Sequence, residues 1–520
     1  MIINIGTLLL ADALSTLRMF IAYTISLITA LILGISMARN RYLETFILPI
    51  LDILQSIPIL GFFPIALVAF IALFPRTGVE IAVIFLLVTS LIWNMIFGVY
   101  SAVKSLDPSI SDLVKLYKIP ITTRFFRIYT PPTTKSIGAN SIISWAGGWF
   151  FITSSEIIAA GSSEYRVLGI GTIIMNAYTS NDLATLVSGL VLLIATILMT
   201  YLILWNPLAK DLAGLNILSI DVFYYRIVKP LVIKTWDLIA SLFESLEIKF
   251  RSFGKRISVR GSRILLFISV LILIVVSVYY VTPPATLVTN LGQLKPIAEL
   301  SFYYTTLIEI LLSLSRVAGV VLIGFLISTY LAYLTFKSSR GEGFLDKYIV
   351  FIGEILASIP AILWWPILSF VALKGLLGVF IVSLIVFLQG SLWYTYFNIL
   401  IYGLSNLKRE YIELSDIYNV RGLLFIRAIF IPSMLPSIAS GALSSWGGAW
   451  NSTIVAEYID LGVLTVNLGG VGAYLDTLFN ENRILELSMT IIILSLFIAL
   501  VNKTVWRVIF KRLTRRYMVE

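Results

Sequence analysis

Four carboxylic acids lie inside apolar segments of the sequence and are the side chains best placed for chemistry. They occupy two pairs of equivalent positions: Asp52 with Glu354, and Glu156 with Glu457. A carboxylate in such a segment is costly unless it faces a cavity or a charged partner. Two roles are therefore open for these acids, a proton relay or structural pairing with Arg18, Arg316 or a lipid headgroup.

The chain has no cysteine and no histidine. Disulfides and thiolate metal sites are thereby excluded, and the side chain that most often shuttles protons near pH 7 is missing. A proton relay without histidine is a poor candidate, and no nucleophile–base pair suggests an enzyme. The net charge of +10 comes from basic residues at the ends of apolar segments and in one connector, which indicates membrane topology rather than nucleic-acid binding.

Two patterns occur once in each half of the chain at nearly constant spacing. One begins Ser-Ile-Pro and ends Pro-Ile, at residues 56–65 and 358–367. The other joins Ser-Trp to a second tryptophan and a glutamate, at residues 144–156 and 445–457. The copies are 302 and 301 positions apart. This nearly fixed offset indicates an internal duplication.

The repeated prolines and tryptophans lie within predicted helices. A proline inside a helix removes one backbone donor and bends the helix, which leaves carbonyl groups that need a partner or a wet cavity. The alternatives are simple helix bending and, for the tryptophans, close packing beside Gly147, Gly148, Gly447 and Gly448. The predicted lining of a translocation pathway consists of Gln55, Ser56, Pro58, Pro64, Trp145, Trp149, Ser358, Pro360, Pro366, Trp446 and Trp450.

Composition places these helices in a membrane. Hydrophobic residues make up 59% of the chain and charged residues only 13%, which lies outside the range of soluble domains. A hydrocarbon core of about 30 Å takes about 20 helical residues to cross. Segments of that kind are predicted at 17–38, 46–74, 79–101, 134–160, 184–205, 264–282, 304–336, 349–373, 376–402, 435–458 and 485–502. The expected fold is an all-α, multi-pass protein of the cell membrane with about eleven spans: two parallel repeats of about five helices joined by an extra span.

Basic residues concentrate in alternate loops, which the positive-inside rule assigns to the cytoplasm. This orientation places the N-terminus outside and the C-terminus inside. The predicted domains are a first repeat at 1–205, a basic connector with the linking span at 206–303, and a second repeat with a basic tail at 304–520. The connector is typical of a helix that contacts membrane lipids on the inner leaflet, or of a simple tether of fixed length.

A charged loop of intermediate hydrophobicity follows the third span of each repeat, at residues 107–129 and 408–430. Asp107 and Pro108 signal a helix start in the first loop, and a proline follows each loop, which predicts a short helix against the inner membrane face. The order of an acid, a small or apolar pair, a basic-aromatic stretch and a proline resembles the EAA loop of ABC importer permeases. The family's glycine falls on Lys118 and Asn419, a departure in both loops.

The resemblance implies that these first and second EAA-like segments are coupling helices that dock on an ATPase. The positions that carry this role over are Asp112, Tyr117 and Pro131 in the first, and Glu413, Ser415, Asn419 and Pro432 in the second. The EAA-like segments and the repeated patterns together make the chain similar to the nitrate, sulfonate and taurine type of permease. A fused permease of this type would move a small solute inward by alternating access, and its substrate would be an anion of the nitrate, sulfonate, taurine or bicarbonate type.

The energy source of such an importer lies on other chains. No G-x-x-x-x-G-K-[ST] phosphate loop occurs in the sequence, so the chain itself is expected to bind no cofactor. The resemblance implies that ATP and Mg²⁺ belong to two copies of a separate ATPase, and that an extracellular solute-binding protein is a further partner. The alternative function is an ion-coupled secondary transporter that works without an ATPase.

Overall fold

The fold is described by a computed structural model over residues 5–55, 59–161, 167–205, 221–253, 299–337, 375–389, 391–400, 409–460, 465–481 and 483–506, with 207–208, 211, 352–353, 356, 407 and 508. Within these residues every regular element is helical except one small sheet. In that sheet β1 (Tyr458–Asp460) pairs antiparallel with β2 (Thr465–Asn467). The all-helical character predicted from the sequence is confirmed in this coarse form.

The first repeat contains nine α-helices within its described residues. They are α1 (Ile5–Arg39), α2 (Arg41–Leu54), α3 (Ile59–Leu73), α4 (Gly78–Lys104), α5 (Pro108–Leu116), α6 (Ile121–Thr123), α7 (Thr134–Gly161), α8 (Ile170–Thr179) and α9 (Leu183–Thr200). Helix α6 continues as a π-helical turn over Arg124–Tyr129, and α9 continues as one over Tyr201–Trp205. A 3-10 turn, Pro131–Thr133, leads into α7.

The connector and the second repeat continue this numbering. The connector has α10 (Asp221–Phe223), a π-helical turn (Tyr224–Val228) and α11 (Lys229–Phe253). The second repeat has α12 (Leu300–Lys337), α13 (Leu376–Gln389), α14 (Leu392–Asn398), α15 (Arg409–Ile417), α16 (Gly422–Phe425), α17 (Ile431–Glu457), α18 (Val471–Asn480) and α19 (Ile484–Val501). Helix α16 continues as a π-helical turn over Ile426–Phe430, and α19 as one over Asn502–Trp506.

Five helices are long and apolar enough to cross a membrane among the residues that the structure describes. They are Ile5–Arg39, Gly78–Lys104, Leu183–Trp205, Leu300–Lys337 and Ile484–Trp506. Each coincides with a predicted span, but α1 begins at Ile5 and not at residue 17. Polar side chains in the N-terminal part of α1 form hydrogen bonds with residues of other helices, which allows the helix to include them. The carboxylate of Asp12, for example, accepts a hydrogen bond from the hydroxyl of Thr196 at 2.7 Å.

Two predicted spans are divided in the structure. The segment 46–74 lies in two helices, α2 and α3, on either side of Pro58, and 376–402 contains α13 and α14. Proline has no amide donor and restricts the residue before it, which favours a break at the first of these positions. The predicted spans 134–160 and 435–458 correspond to α7 and α17. The predicted span 264–282 and nearly all of 349–373 lie outside the described residues.

The first repeat's core also receives residues from the second repeat. Phe63 and Leu67 of α3 are buried in one hydrophobic cluster with Val455 and Ala456 of α17. Helix α3 also contacts α18 and α19. The two repeats are therefore packed directly against each other at α3, and burial of apolar side chains stabilises this contact.

Candidate functional site

A buried charge cluster ties three helices of the first repeat together. The carboxylate of Glu156, at the end of α7, accepts hydrogen bonds from the hydroxyl of Ser15 at 2.7 Å and from the guanidinium of Arg18 at 2.9 Å. Its second oxygen accepts the amide N–H of Gly171 at 3.0 Å, and the Ser15 hydroxyl accepts that of Ile170, also at 3.0 Å. The cluster thus satisfies two free N–H groups at the start of α8 and fixes the α7–α8 corner on α1.

The same set of contacts recurs in the second repeat. The carboxylate of Glu457 accepts hydrogen bonds from the hydroxyl of Ser313 at 2.7 Å and from Arg316 at 2.6 Å. The amide of Gly472 donates to Glu457 at 2.8 Å, and that of Val471 donates to Ser313 at 2.8 Å. Both glutamate side chains have no exposed surface. The predicted pairing of these acids with the two arginines is confirmed, and every partner has its counterpart in the other repeat.

The two charge clusters differ in one ion pair. Arg18 also holds Glu80, at the start of α4, through Nε at 2.7 Å and Nη2 at 2.6 Å. Its side chain is 6% exposed, whereas that of Arg316 is 21% exposed. Positions 381 and 382 of the second repeat, which match Glu80, hold isoleucine and valine. The first cluster therefore also binds a fourth helix, α4.

The EAA-like segments form the predicted short helices, α5 and α15. The carboxylate of Asp107 caps α5 by accepting the amide N–H of Ser109 at 2.8 Å, and Pro108 occupies the first helical position. Both features favour a helix start. The bond from Ser109 lowers the pKa of Asp107 from its ordinary value of 3.8.

Both short helices end in the same backbone conformation. Lys118 has a φ of 47° and Asn419 has a φ of 52°. These are the two positions that correspond to the glycine of the EAA loop. One residue later, the amide of Ile119 donates to the carbonyl of Val114, and that of Val420 donates to Ser415. A left-handed residue at this place reverses the chain after a helix, which is the usual role of glycine. The departure from glycine therefore retains the turn but puts side chains into a strained conformation.

Each short helix presents three large apolar side chains to the surroundings. In α5 and after it, Leu113, Leu116 and Tyr117 are exposed; in α15 and after it, Leu414, Ile417 and Tyr418 are exposed. The exposed fractions of equivalent residues agree closely: 73% for Leu116 against 75% for Ile417, and 71% for Tyr117 against 74% for Tyr418. Sequence reasoning selected Tyr117 but missed Leu116 and Ile417. A pair of matched apolar patches beside charged residues is typical of a binding surface.

The sequence profile of the binding-protein-dependent transport system inner membrane component matches this chain in two segments, 30–206 and 321–517. Together these segments cover more than half of the chain. The chain belongs to this family. It is a permease, a multi-pass membrane component and a transport subunit rather than an enzyme, and its two matched segments agree with the predicted duplicated permease.

Curated relatives of the permease include nitrate and bicarbonate permeases. The nitrate import permease protein NrtB of Leptolyngbya laminosa is 26% identical over 170 residues, which are 33% of this chain and 57% of the relative. The bicarbonate transport system permease protein CmpB of Synechococcus elongatus is 24% identical over 173 residues, which are 33% of this chain and 58% of the relative. The chain thus spans somewhat over half the length of these relatives. No solved structure matches significantly.

The tryptophans predicted to line the permease's pathway lie in the buried core: Trp145, Trp149, Trp446 and Trp450. The ring of Trp145 packs at 4.9 Å from Phe20 and 5.0 Å from Trp205, measured between ring centroids. That of Trp446 packs at 5.7 Å from Trp506. These contacts correspond to the packing alternative, and a pathway role for the four residues stays a prediction.

The other predicted pathway residues are only partly described. Gln55 is half-buried just after α2, and Pro64 lies within α3. Ser56, Pro58, Ser358, Pro360, Pro366 and the acid Glu354 lie outside the described residues, as does the side chain of Asp52. Of the predicted ATPase contacts, Asp112, Tyr117, Glu413 and Asn419 are exposed, whereas Ser415 is 2% exposed and faces inward. Pro131 begins the turn before α7, and Pro432 lies in the first turn of α17.

Proposed function

We propose that this permease forms the translocation pathway of an ABC importer that moves a small anion inward by alternating access. In this proposal the chain has about eleven spans in two parallel repeats, with its N-terminus outside and its C-terminus inside. Two copies of a separate ATPase bind ATP and Mg²⁺ and dock on the EAA-like segments. An extracellular solute-binding protein delivers the substrate.

The matched apolar patches carry the ATPase part of this proposal. Leucine, isoleucine and tyrosine side chains that are exposed to water lower the solubility of a protein. Burial of these side chains in a partner's groove removes that cost. Each patch is close to an exposed acid, Asp112 in the first segment and Glu413 in the second. One patch per repeat fits one ATPase per repeat, and Leu414 in the second patch is a direct probe of docking.

The anion part rests on two observations. The relatives' names assign them nitrate and bicarbonate, both small anions. The chain itself has an excess of basic residues, with a net charge of +10, although most of that excess serves topology. Nitrate and bicarbonate are therefore the first substrates to test, with sulfonates and taurine next.

Docking is tested by gentle solubilisation of the tagged chain and mass spectrometry of what co-purifies. We expect an ABC-type ATPase with the native chain and a strong reduction with Glu413→Lys or Leu414→Asp. The matched control is Glu481→Lys, which makes the same charge change at an exposed position outside both EAA-like segments. Because the chain has no cysteine, a single cysteine at Leu414 can also be cross-linked to the bound partner.

The rival is a carrier that uses an ion gradient and needs no ATPase. It predicts that the chain purifies alone and that uptake survives Glu413→Lys. Proton-dependent uptake by the purified chain in vesicles without ATP would replace the importer proposal with this one.

A further inference from the structure

The connector helix α11 lies against the first EAA-like segment. The carboxylate of Glu247 accepts hydrogen bonds from the amide N–H groups of Ile121 at 3.1 Å and Thr122 at 2.8 Å, and from the hydroxyl of Thr122. These amides begin α6 and have no partner within that helix. Glu247 thus supplies the cap that the segment itself lacks.

Further contacts extend this junction along three turns of α11. Arg127, in the π-helical turn after α6, donates to the carboxylate of Asp237 at 2.6 Å and lies 3.6 Å from that of Glu244. The hydrogen bond that Arg127 donates to Asp237 raises the pKa of the Arg127 guanidinium. Between the charged pairs, the ring of Phe126 packs at 5.1 Å from Trp236 and 5.8 Å from Phe243.

All three acidic residues of α11 therefore contact the same segment. Asp237, Glu244 and Glu247 follow one another at intervals of seven and three residues, which places them on one face of a helix. The prediction for the connector rested on its basic and aromatic residues and did not include this acidic face.

The second EAA-like segment has a different sequence at the equivalent positions. With the offset of 301, Ile121, Thr122 and Arg127 correspond to Gly422, Leu423 and Ala428. Alanine cannot form the ion pair that Arg127 makes. Leu423 is 80% exposed, and Gly422 has a φ of +59°. The described contacts of Glu247 and Asp237 reach the first segment, so α11 supports that segment and not the second.

We propose that α11 is a brace that positions the first EAA-like segment for coupling, with Glu247 and Asp237 as its positioning residues. The inference rests on the proposed docking of ATPases at both segments. The two docking sites are then mechanically unequal. Motion imposed on α5 must pass through α6 and its π-helical turn to reach α7, and α11 stiffens that route in the first repeat alone.

The brace itself is tested by hydrogen–deuterium exchange of the full chain in lipid nanodiscs without ATPase. In the native chain we expect the amides of residues 121–122 to exchange at least tenfold more slowly than those of 422–423, because a charged acceptor holds them. Glu247→Ala should remove the difference, and Glu247→Gln, which keeps one acceptor oxygen, should restore part of it. The control is Ser245→Ala on the same helix, because the Ser245 hydroxyl bonds only within α11.

Its role in coupling is tested in the complete importer by measuring solute taken up per ATP hydrolysed. Glu247→Ala and Asp237→Asn should lower this ratio at unchanged amounts of assembled complex, and Ser245→Ala should leave it unchanged. A residue that only supports folding would reduce the amount of complex and not the ratio.

The possible failures are distinguishable. Fast exchange of the amides of residues 121–122 in the native chain, or an unchanged ratio in both variants, would overturn the brace. Absence of any ATPase partner would overturn the proposed function, and the exchange result would then show whether α11 still holds the segment.

Discussion

Removing the arginine of a charge cluster should be among the most damaging single substitutions in this permease. Arg18→Met keeps the aliphatic volume of the side chain but leaves Glu156 fully buried without a cation. Stranding a buried charge in this way costs about 3–5 kcal/mol of the free energy of unfolding. Arg316→Met should cost about the same, because Glu457 is equally buried and loses its cation too.

The structure also predicts an order among the partners of Arg18. Ser15→Ala removes one donor to Glu156 and leaves the amide of Ile170 without an acceptor, which should cost about 1–3 kcal/mol. Glu80→Gln should cost about 0–1 kcal/mol, because the Glu80 side chain is 46% exposed. In the double variant Arg18→Met/Glu156→Met the stranded carboxylate is gone, so the loss should be smaller than the sum of the two single losses by about 0.5–3 kcal/mol.

The assay is unfolding of the purified chain in detergent micelles with a rising fraction of SDS, followed by tryptophan fluorescence. The second-repeat variants Arg316→Met and Ser313→Ala test the same order of losses at the other charge cluster. If Arg18→Met costs no more than Glu80→Gln, the pair with Glu156 does not fix the corner, and the argument from burial is refuted.

Three further predictions concern single residues. Gly171→Ala should destabilise the chain by about 1–3 kcal/mol, since its Cβ would lie 2.7 Å from the backbone carbonyl oxygen of Thr153. Gly447→Ala, whose Cβ would meet no described atom within 4 Å outside its own helix backbone, should be neutral or stabilising by about 0.5–1 kcal/mol in the same unfolding assay. Lys118→Gly should stabilise the first EAA-like segment by about 1 kcal/mol and Asn419→Gly by less, because asparagine tolerates the left-handed conformation better; if strain is absent, both substitutions should lower the thermal midpoint of the purified protein, because glycine adds conformational entropy to the unfolded chain. Asp107→Asn should keep the cap of α5 and Asp107→Ala should lose it. Equal amide exchange in α5 for both variants would contradict the cap. Because the pKa of Asp107 is lower in the folded state, the stabilisation that the cap provides is complete above the ordinary pKa of 3.8 and disappears as the pH falls through the folded-state pKa.

Hydropathy predicted the long helices well, because about 20 apolar residues in succession leave few other structures open in lipid. The helix α1 begins at Ile5, before the span predicted from residue 17. Asp12, Ser15 and Arg18 resemble the polar end of a span in the sequence, but each of them has a partner on another helix. Hydropathy does not reveal hydrogen-bond partners on other helices. Polar residues that have such partners therefore resemble the end of a membrane span.

The candidate site was predictable only where the signal was local or repeated. The short helix of the first EAA-like segment follows from Asp107 and Pro108 at its start, and the pairing of Glu156 with Arg18 follows from the cost of a buried charge. The amide of Gly171 could not be foreseen as a partner, because that contact depends on how the start of α8 packs against α7. The acidic face of α11 was visible as a spacing, but its target 125 residues earlier was not.

The extra ion pair of Arg18 has a consequence for how the chain enters the membrane. A ribosome adds about 5–20 residues per second, so Glu156, 138 positions after Arg18, is made roughly 7–28 s later. An unpaired arginine costs about 2.5–3.5 kcal/mol on insertion scales at the centre of a membrane helix. Glu80 is only 62 positions away and is made roughly 3–12 s after Arg18. In the proposed topology, we expect Glu80 to supply this countercharge during synthesis, early enough to hold α1 across the bilayer until α7 is made. Arg316 is made without that countercharge, since isoleucine and valine stand at 381 and 382, and its insertion depends more on the finished first repeat beside it.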